Sequence, residues 1–307
     1  MKDLIIIGAG PAGLSAAIYG IRAGLDCLII ERYSPGGQVM NTDMVENYPG
    51  FVDPVGGWEL MSRMEEQARR LGVEITSGDV VSVEKKSDAG SLVIGLAGGD
   101  QLEARTVIIA TGASFRRLGV PGEAEFTGRG VSYCATCDGA FFKGREVVVV
   151  GGGDVALEEA HFLTRFASRV YLVHRRDEFR GAKILQDRVL ADSKITTVMD
   201  TVVSSINGSQ KVSGVLLKNR KTGDERELPV EGVFIFVGWD PNTGYLPAGL
   251  LNENREIIVD MNMNTKIPGL YAAGDIRSGS KRQIVMACAD GATAALEAYN
   301  YLSSLQK

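Results

Sequence analysis

The sequence predicts an α/β fold of two similar domains, one inserted in the other, and three observations carry that expectation. A short apolar run at residues 4–7 enters a glycine-rich turn and then a small-residue helix. The same strand–turn–helix order returns at 147–150 and 151–166. After each copy come stretches of alternating apolar and polar residues broken by turn residues, the mark of a small antiparallel meander.

The elements follow in order. Residues 4–7 and 27–30 read as strands flanking a helix from Gly13 to about Arg22, one strand–helix–strand unit. The loop Pro35-Gly36-Gly37-Gln38 and the segment 45–50 precede a helix over about 58–71. Residues 74–84, 92–96 and 101–109 form the first meander, with Gly98-Gly99-Asp100 as a turn. A Pro/Gly-punctuated crossing over 116–122 opens the second copy. That copy has strands at 146–150 and 169–173, a helix over 154–166, a meander over 202–229 and a strand at 233–237. Residues 238–249, holding Pro241, Gly244 and Pro247, read as the return crossing, and the chain closes with short strands near 257–259 and 270–272 and a long helix from about Gln283. The domains are therefore expected at 1–115 plus 246–307, enclosing 116–245, and the repeat is one of a fold unit.

Composition narrows the function. The chain has 307 residues, enough for two cores, and a formal net charge of −5. That charge argues against a nucleic-acid surface, which needs clustered Lys and Arg in excess. The apolar runs fall far short of the roughly 20 residues of a membrane helix. Asp3 and the early Gly8 speak against a secretory leader, so a cytoplasmic protein without membrane association is expected. Of four cysteines, Cys27 and Cys288 are isolated and read as packing residues. The other two form Cys134-Ala-Thr-Cys137, which without a second such pair does not make a metal site.

Gly8-Ala9-Gly10-Pro11-Ala12-Gly13 has the context a dinucleotide fingerprint requires, between a strand and a helix. Gly8 allows the tight turn, Gly10 leaves room for a pyrophosphate, and Gly13 lets helix and strand approach. Helix amides and the helix dipole favour the phosphates, and Glu31 at the next strand end suits ribose hydroxyls. The ligand is read as FAD over NAD from the C-terminal part. Gly274-Asp275 places an acid after a small-residue strand end, where it faces the ribityl–phosphate region or, alternatively, caps a helix. Ala110-Thr111-Gly112 ends the first meander in the same manner, and Arg282-Gln283 begin a helix whose positive end suits charge developing on a reduced flavin.

The second fingerprint is Gly151-Gly152-Gly153-Asp154-Val155-Ala156. Where an NAD enzyme carries an acid, this chain has His174-Arg175-Arg176, followed by Arg180. A basic cluster there suits a 2′-phosphate, so NADPH is expected over NADH. Between the two fingerprints, Cys134 and Cys137 suit a small disulfide loop with a readily formed thiolate, and Asp138 is placed to donate a proton. Phe141 and Phe142 follow, either as a docking patch or as core.

In family order these motifs resemble the low-molecular-weight, bacterial-type NADPH–thioredoxin reductases, class II pyridine nucleotide-disulfide oxidoreductases. The likeness runs through nearly the whole chain: the two glycine fingerprints, Gly-Gly-Gln at 36–38, Val-Glu-Asn-Tyr-Pro-Gly at 45–50, Cys-Ala-Thr-Cys-Asp at 134–138, His-Arg-Arg at 174–176, Gly-Asp at 274–275 and Arg-Gln at 282–283. It implies FAD, NADPH, a homodimer and thioredoxin as substrate. It also implies that Cys137 faces the flavin, that Cys134 attacks thioredoxin, and that Asp138 donates the proton. Gly37, Gln38, Asn47, Asp275, Arg282 and Gln283 become flavin neighbours, and Arg129, Phe141 and Phe142 thioredoxin contacts. Asp154 departs from the usual Asn or Ser, and Cys288 from a small residue. If nicotinamide and dithiol use one flavin face, the inserted domain is expected to rotate about the crossings. A redox-inert flavoprotein is the rival of another class; it would bind FAD without bleaching on NADPH.

Overall fold

A computed structural model describes residues 1–42, 45, 47–86 and 90–305. The chain opens with β1 (Lys2–Ile7), α1 (Pro11–Arg22), β2 (Cys27–Glu31), α2 (Gly57–Arg70) and β3 (Glu74–Ser77). There follow β4 (Val80–Lys85), β5 (Leu92–Leu96), β6 (Gln101–Ile109) and β7 (Ala113–Phe115). Next come β8 (Val131–Ser132), the short helix α3 (Ala135–Asp138), β9 (Glu146–Gly151), α4 (Asp154–Leu163), β10 (Arg169–Val173), α5 (Lys183–Ala191) and β11 (Ile195–Val198). The meander β12 (Thr201–Gly208), β13 (Val212–Asn219) and β14 (Glu225–Leu228) leads to β15 (Gly232–Phe236) and β16 (Trp239–Pro241). β17 (Leu270–Ala272) and α6 (Ile284–Ser304) finish the chain.

These elements form two compact units, Met1–Ser114 with Asp240–Lys307, and Phe115–Trp239. In the outer unit the sheet runs β3-β2-β1-β6-β5-β4, with β17 also on β6. The pairs of β1 with β2 and β6, of β2 with β3 and of β6 with β17 are parallel, whereas β4 and β5 add antiparallel. In the inner unit β11-β10-β9-β15-β8 is parallel throughout, and β12-β13-β14 is a separate antiparallel sheet.

Strand alternation explains the layering. Leu4 and Ile6 point with Ile29 into a core shared with α1 and α6, while Ile5 and Ile7 point with Leu28 and Ile30 toward β5 and residues near 246–276. In the inner unit Val147 and Val149 face α4, and Val148 and Val150 face the meander residues Val203, Val215 and Leu217. Each central strand is thus buried on both sides, which is why it reads as an unbroken apolar run. Burying one such side chain contributes about 1.5–3 kcal/mol. The inner unit is three-layered, sheet on sheet on helix. In the outer unit Val83, Leu92 and Ile94 of β4 and β5, at the end of one continuous sheet, pack with Ile5 and Ile7 on the face away from α1 and α6.

Some boundaries differ from the sequence expectation. The stretch 74–84 is two strands: β3 pairs parallel with β2, and the chain turns at Gly78-Asp79 before β4 joins the meander. A Cβ at Gly78 would lie 3.0 Å from the Ile30 side chain, so glycine lets the turn pass close over β2. α5 and β11 complete the inner sheet without any expectation from sequence. Residues near 257–259 form only isolated bridges, Ile257 with Leu251 and Arg277. The chain returns to the outer unit at 239–240, earlier than 245–246. The reason is local: Asn242 donates its backbone N–H to the Gly112 carbonyl (3.0 Å) and its side-chain amide to the Thr111 carbonyl (2.7 Å).

Candidate functional site

The first glycine turn is built by close backbone approaches. Gly8 has φ +106°, and a Cβ there would lie 2.5 Å from the Ala110 carbonyl oxygen. A Cβ on Gly13 would lie 1.8 Å from the Gly8 carbonyl oxygen, so α1 can start this near β1 only without a side chain. Gly10 caps α1 in extended conformation with Pro11 in the first turn, and the space where its Cβ would stand is open within 4 Å. That cradle fits a pyrophosphate on the helix N-terminus.

Around it gather the other expected residues of this unit. Gly36 donates to the Ala9 carbonyl (2.8 Å), which brings Gly37 beside Gly10, at the head of the 310 turn containing Gln38. Glu31 accepts from the amides of Ala9 (2.6 Å) and Tyr33 (3.0 Å), and its oxygens retain lone pairs for sugar hydroxyls. Gly274 abuts Ala12, and Asp275 accepts from the Ser280 hydroxyl (2.9 Å) while burial pushes its carboxyl pKa up. Asn47 donates to Gln283 (3.0 Å), Thr111 shares its hydroxyl with Tyr245, and Arg282 pairs with Glu256 at 3.3 Å. Of the segment 45–50, Glu46 lies outside the described residues.

A buried pair that sequence reasoning missed holds this end together. Asp290 accepts from Arg277 at 2.7 and 2.8 Å and from the Gly274 amide at 3.1 Å. Nothing in the local sequence marks it, because the partners sit on different turns of the fold.

In the inner unit Gly153 caps α4 with the same open space at its missing Cβ. Ala156 packs beneath Gly151, leaving Val155 exposed. The basic loop is tied to this turn by three bonds. Arg180 and Gly181 donate to the Gly152 carbonyl (2.7 and 3.2 Å), and Asp154 accepts from the Ala182 amide (2.6 Å). Asp154 therefore fastens the basic loop to this turn through one carboxylate oxygen. Arg175, Arg176 and Arg180 are exposed. His174 is not part of that displayed surface: it is 7% exposed, its ring lies against Gly152, and its Nε2 is 3.1 Å from the Glu178 carbonyl. Burial lowers its pKa, so it packs as the neutral ring beneath the arginines.

The redox pair is on the same unit. Cys134 and Cys137 are joined as a disulfide, with Cys134 at the N-cap of α3 and its sulfur accepting from the Cys137 amide at 3.2 Å. Asp138 Oδ2 accepts from the Ser132 hydroxyl at 2.5 Å. Phe141 is 40% exposed, whereas Phe142 is 7% exposed and packs edge-on against Phe234. The docking expectation for Phe142 is thereby corrected: successive side chains diverge, and its ring went to the core. Arg129 is exposed, with its guanidinium held on the Glu125 carbonyl at 2.5 Å. Cys27 is buried under Gly20, and burial pushes its thiol up to about 12. Cys288 is half-buried beside the Tyr48 hydroxyl (3.7 Å). Among the described residues no cluster of three or more His, Cys, Asp or Glu could hold a metal, and no helix is long and apolar enough to cross a membrane.

Known proteins share this arrangement. The model of a family described as pyridine nucleotide-disulphide oxidoreductase matches residues 2–291. A thioredoxin reductase of Listeria innocua is 49% identical, covering 99% of this chain and 95% of that protein. One of Bacillus subtilis is 48% identical over 99% and 96%. The crystal structure of thioredoxin reductase from Streptococcus pyogenes superposes with a TM-score of 0.94 at 48% identity, covering 99% of both chains.

Proposed function

Because the chain belongs to the pyridine nucleotide-disulphide oxidoreductase family, we propose that it is a thioredoxin reductase, passing electrons from NADPH through FAD to the Cys134–Cys137 disulfide and on to oxidised thioredoxin. One observation carries the reading beyond the family. The disulfide, its neighbouring acid Asp138, and a glycine turn flanked by exposed Arg175, Arg176 and Arg180 all belong to one unit.

The outer unit is the FAD domain in this reading. Gly8, Gly10 and Gly13 give the pyrophosphate its approach, Glu31 and Asp275 supply acceptors, and the Asn47–Gln283 pair lies beside Arg282 at the head of α6. The inner unit is the NADPH domain, where Arg175, Arg176 and Arg180 hold the 2′-phosphate and the open turn at Gly153 takes the pyrophosphate. When bound, FAD supplies the two-electron carrier that links a nicotinamide hydride to a disulfide.

The remaining chemistry belongs to the chain. Reduction opens the Cys134–Cys137 bond, and Asp138 delivers a proton to the departing Cys137 sulfur. The Cys134 thiolate then attacks one sulfur of the thioredoxin disulfide and expels the other as a thiolate. Cys137 attacks the Cys134 sulfur of the mixed disulfide, which restores the resting disulfide and releases dithiol thioredoxin. As it attacks, Cys137 returns its proton to Asp138, and the two expelled thioredoxin thiolates are protonated from solvent. The acid and the disulfide are thus reset while two electrons and two protons leave with the product. Phe141 and Arg129 are the docking residues, and exposed Val285, Met286, Leu296 and Tyr299 along α6 support a homodimer. Dependence on NADPH and two unpaired cysteines suit the cytoplasm. Cys134→Ser is expected to abolish NADPH-driven reduction of thioredoxin; turnover persisting in this variant would remove the dithiol from the reaction.

A further inference from the structure

We propose that Ser132 is a positioning residue for proton transfer at the disulfide, its hydroxyl holding the Asp138 carboxyl against the Cys134–Cys137 loop. The inference rests on the reading of Asp138 as proton donor.

Ser132 ends β8, whose pairing with β15 sets Val131 opposite Val233 and Ser132 opposite Phe234. The strand is pinned at its start by the Val233 amide on the Gly130 carbonyl, 2.8 Å. The residue is 5% exposed, so water does not compete for its hydroxyl. Its oxygen accepts from the Cys134 amide at 3.1 Å. Its single hydrogen has two acceptors within reach: Asp138 Oδ2 at 2.5 Å and the Cys134 carbonyl at 3.2 Å. A hydroxyl rotates freely about its C–O bond, and a carboxylate is the stronger acceptor.

Two acceptors give the hydroxyl two settings. When Asp138 is ionised, the hydrogen lies on Oδ2. When Asp138 carries a proton, the hydrogen turns to the Cys134 carbonyl, and the serine oxygen can accept from the acid. In the transfer step the Asp138 O–H bond breaks and a Cys137 S–H bond forms. The carboxylate left behind regains the serine hydrogen. No heavy atom has to move, and no electron passes through Ser132. The anchor is a sheet strand, so the acid is held from outside the small loop whose disulfide opens and closes.

The test compares Ser132→Ala, Ser132→Thr, Asp138→Asn and the double variant Ser132→Ala/Asp138→Asn in steady-state reduction of a thioredoxin by NADPH. Circular dichroism checks that each is folded. Losing one hydrogen bond to a charged group predicts a kcat fall of roughly 10- to 100-fold in Ser132→Ala with the KM for thioredoxin unchanged. Thr, which keeps the hydroxyl, is expected to restore most of the rate, and the alanine change to add nothing once Asp138 is Asn. A wild-type kcat in Ser132→Ala alongside a slow Asp138→Asn overturns this inference and leaves the proton-donor reading standing. Losses that add in the double variant overturn it as well, since the serine then acts through something other than Asp138. A wild-type rate in Asp138→Asn itself removes the proton-donor reading and this inference with it.

Discussion

Glu159 offers a sharp physical test, because it is an acid that the fold keeps largely out of water. It lies on α4, and its carboxylate accepts a bond from Ala135 at the start of α3. Its Oε2 is shielded from solvent and has no hydrogen-bond partner among the described residues. Burial, then the charge of Glu158, outweigh the Ala135 bond and push the carboxyl from 4.5 up to about 7. The sign follows directly. Between pH 4.5 and 7 the folded protein keeps a proton that the unfolded chain has released, so stability falls as pH rises through that window. At about 1.36 kcal/mol per pH unit the full cost approaches roughly 3 kcal/mol. The side chain is partly exposed, and solvent screening reduces this to about 1–2 kcal/mol. Glu159→Gln removes the titration while retaining an acceptor for Ala135. Urea unfolding midpoints of both proteins at pH 5, 6.5 and 8 are the assay, at unchanged slope. The variant is expected to gain about 1–2 kcal/mol on the wild type between pH 5 and 8. A difference that stays flat over that range, or shrinks with rising pH, refutes the argument.

Other expectations follow from single contacts. Gly13→Ala puts a methyl 1.8 Å from the Gly8 carbonyl oxygen, so α1 must shift. A stability loss of at least about 1–3 kcal/mol and poor flavin retention on gel filtration are expected, and a stable, fully yellow variant would contradict the turn geometry. Arg176→Ala should raise the KM for NADPH about tenfold or more while leaving that for NADH nearly unchanged. Equal effects on the two nucleotides would detach the arginine from the 2′-phosphate.

Much of this was legible in sequence where physics forces residue type onto spacing. Gly8 and Gly13 are required by close backbone contacts that a side chain would break, Gly10 leaves its space open, and the unbroken apolar run 147–150 follows from a strand covered on both faces. The dithiol and the arginines stood out because their chemistry has few other uses. What escaped was decided by contacts distant in sequence or by one dihedral choice. His174 shares the arginines' stretch, yet the bare Gly152 beside it opens a slot that its ring fills. Phe142 and Phe141 are indistinguishable until the turn after α3 aims one inward. The Arg277–Asp290 pair and the Ser132 bond to Asp138 depend on how turns meet, which no periodicity encodes. Asp154 stood out only as a departure from Asn or Ser, and its bond from the Ala182 amide joins turns distant in sequence.

The relay itself is tested most directly by counting electrons. Anaerobic titration with NADPH, followed by flavin absorbance and by trapping of thiols, should consume about two equivalents per flavin in the wild type, one for each two-electron centre. Modified Cys134 and Cys137 should then be found by mass, and Cys134→Ser should take about one equivalent. A wild-type protein that stops at one equivalent with its disulfide intact would contradict the account.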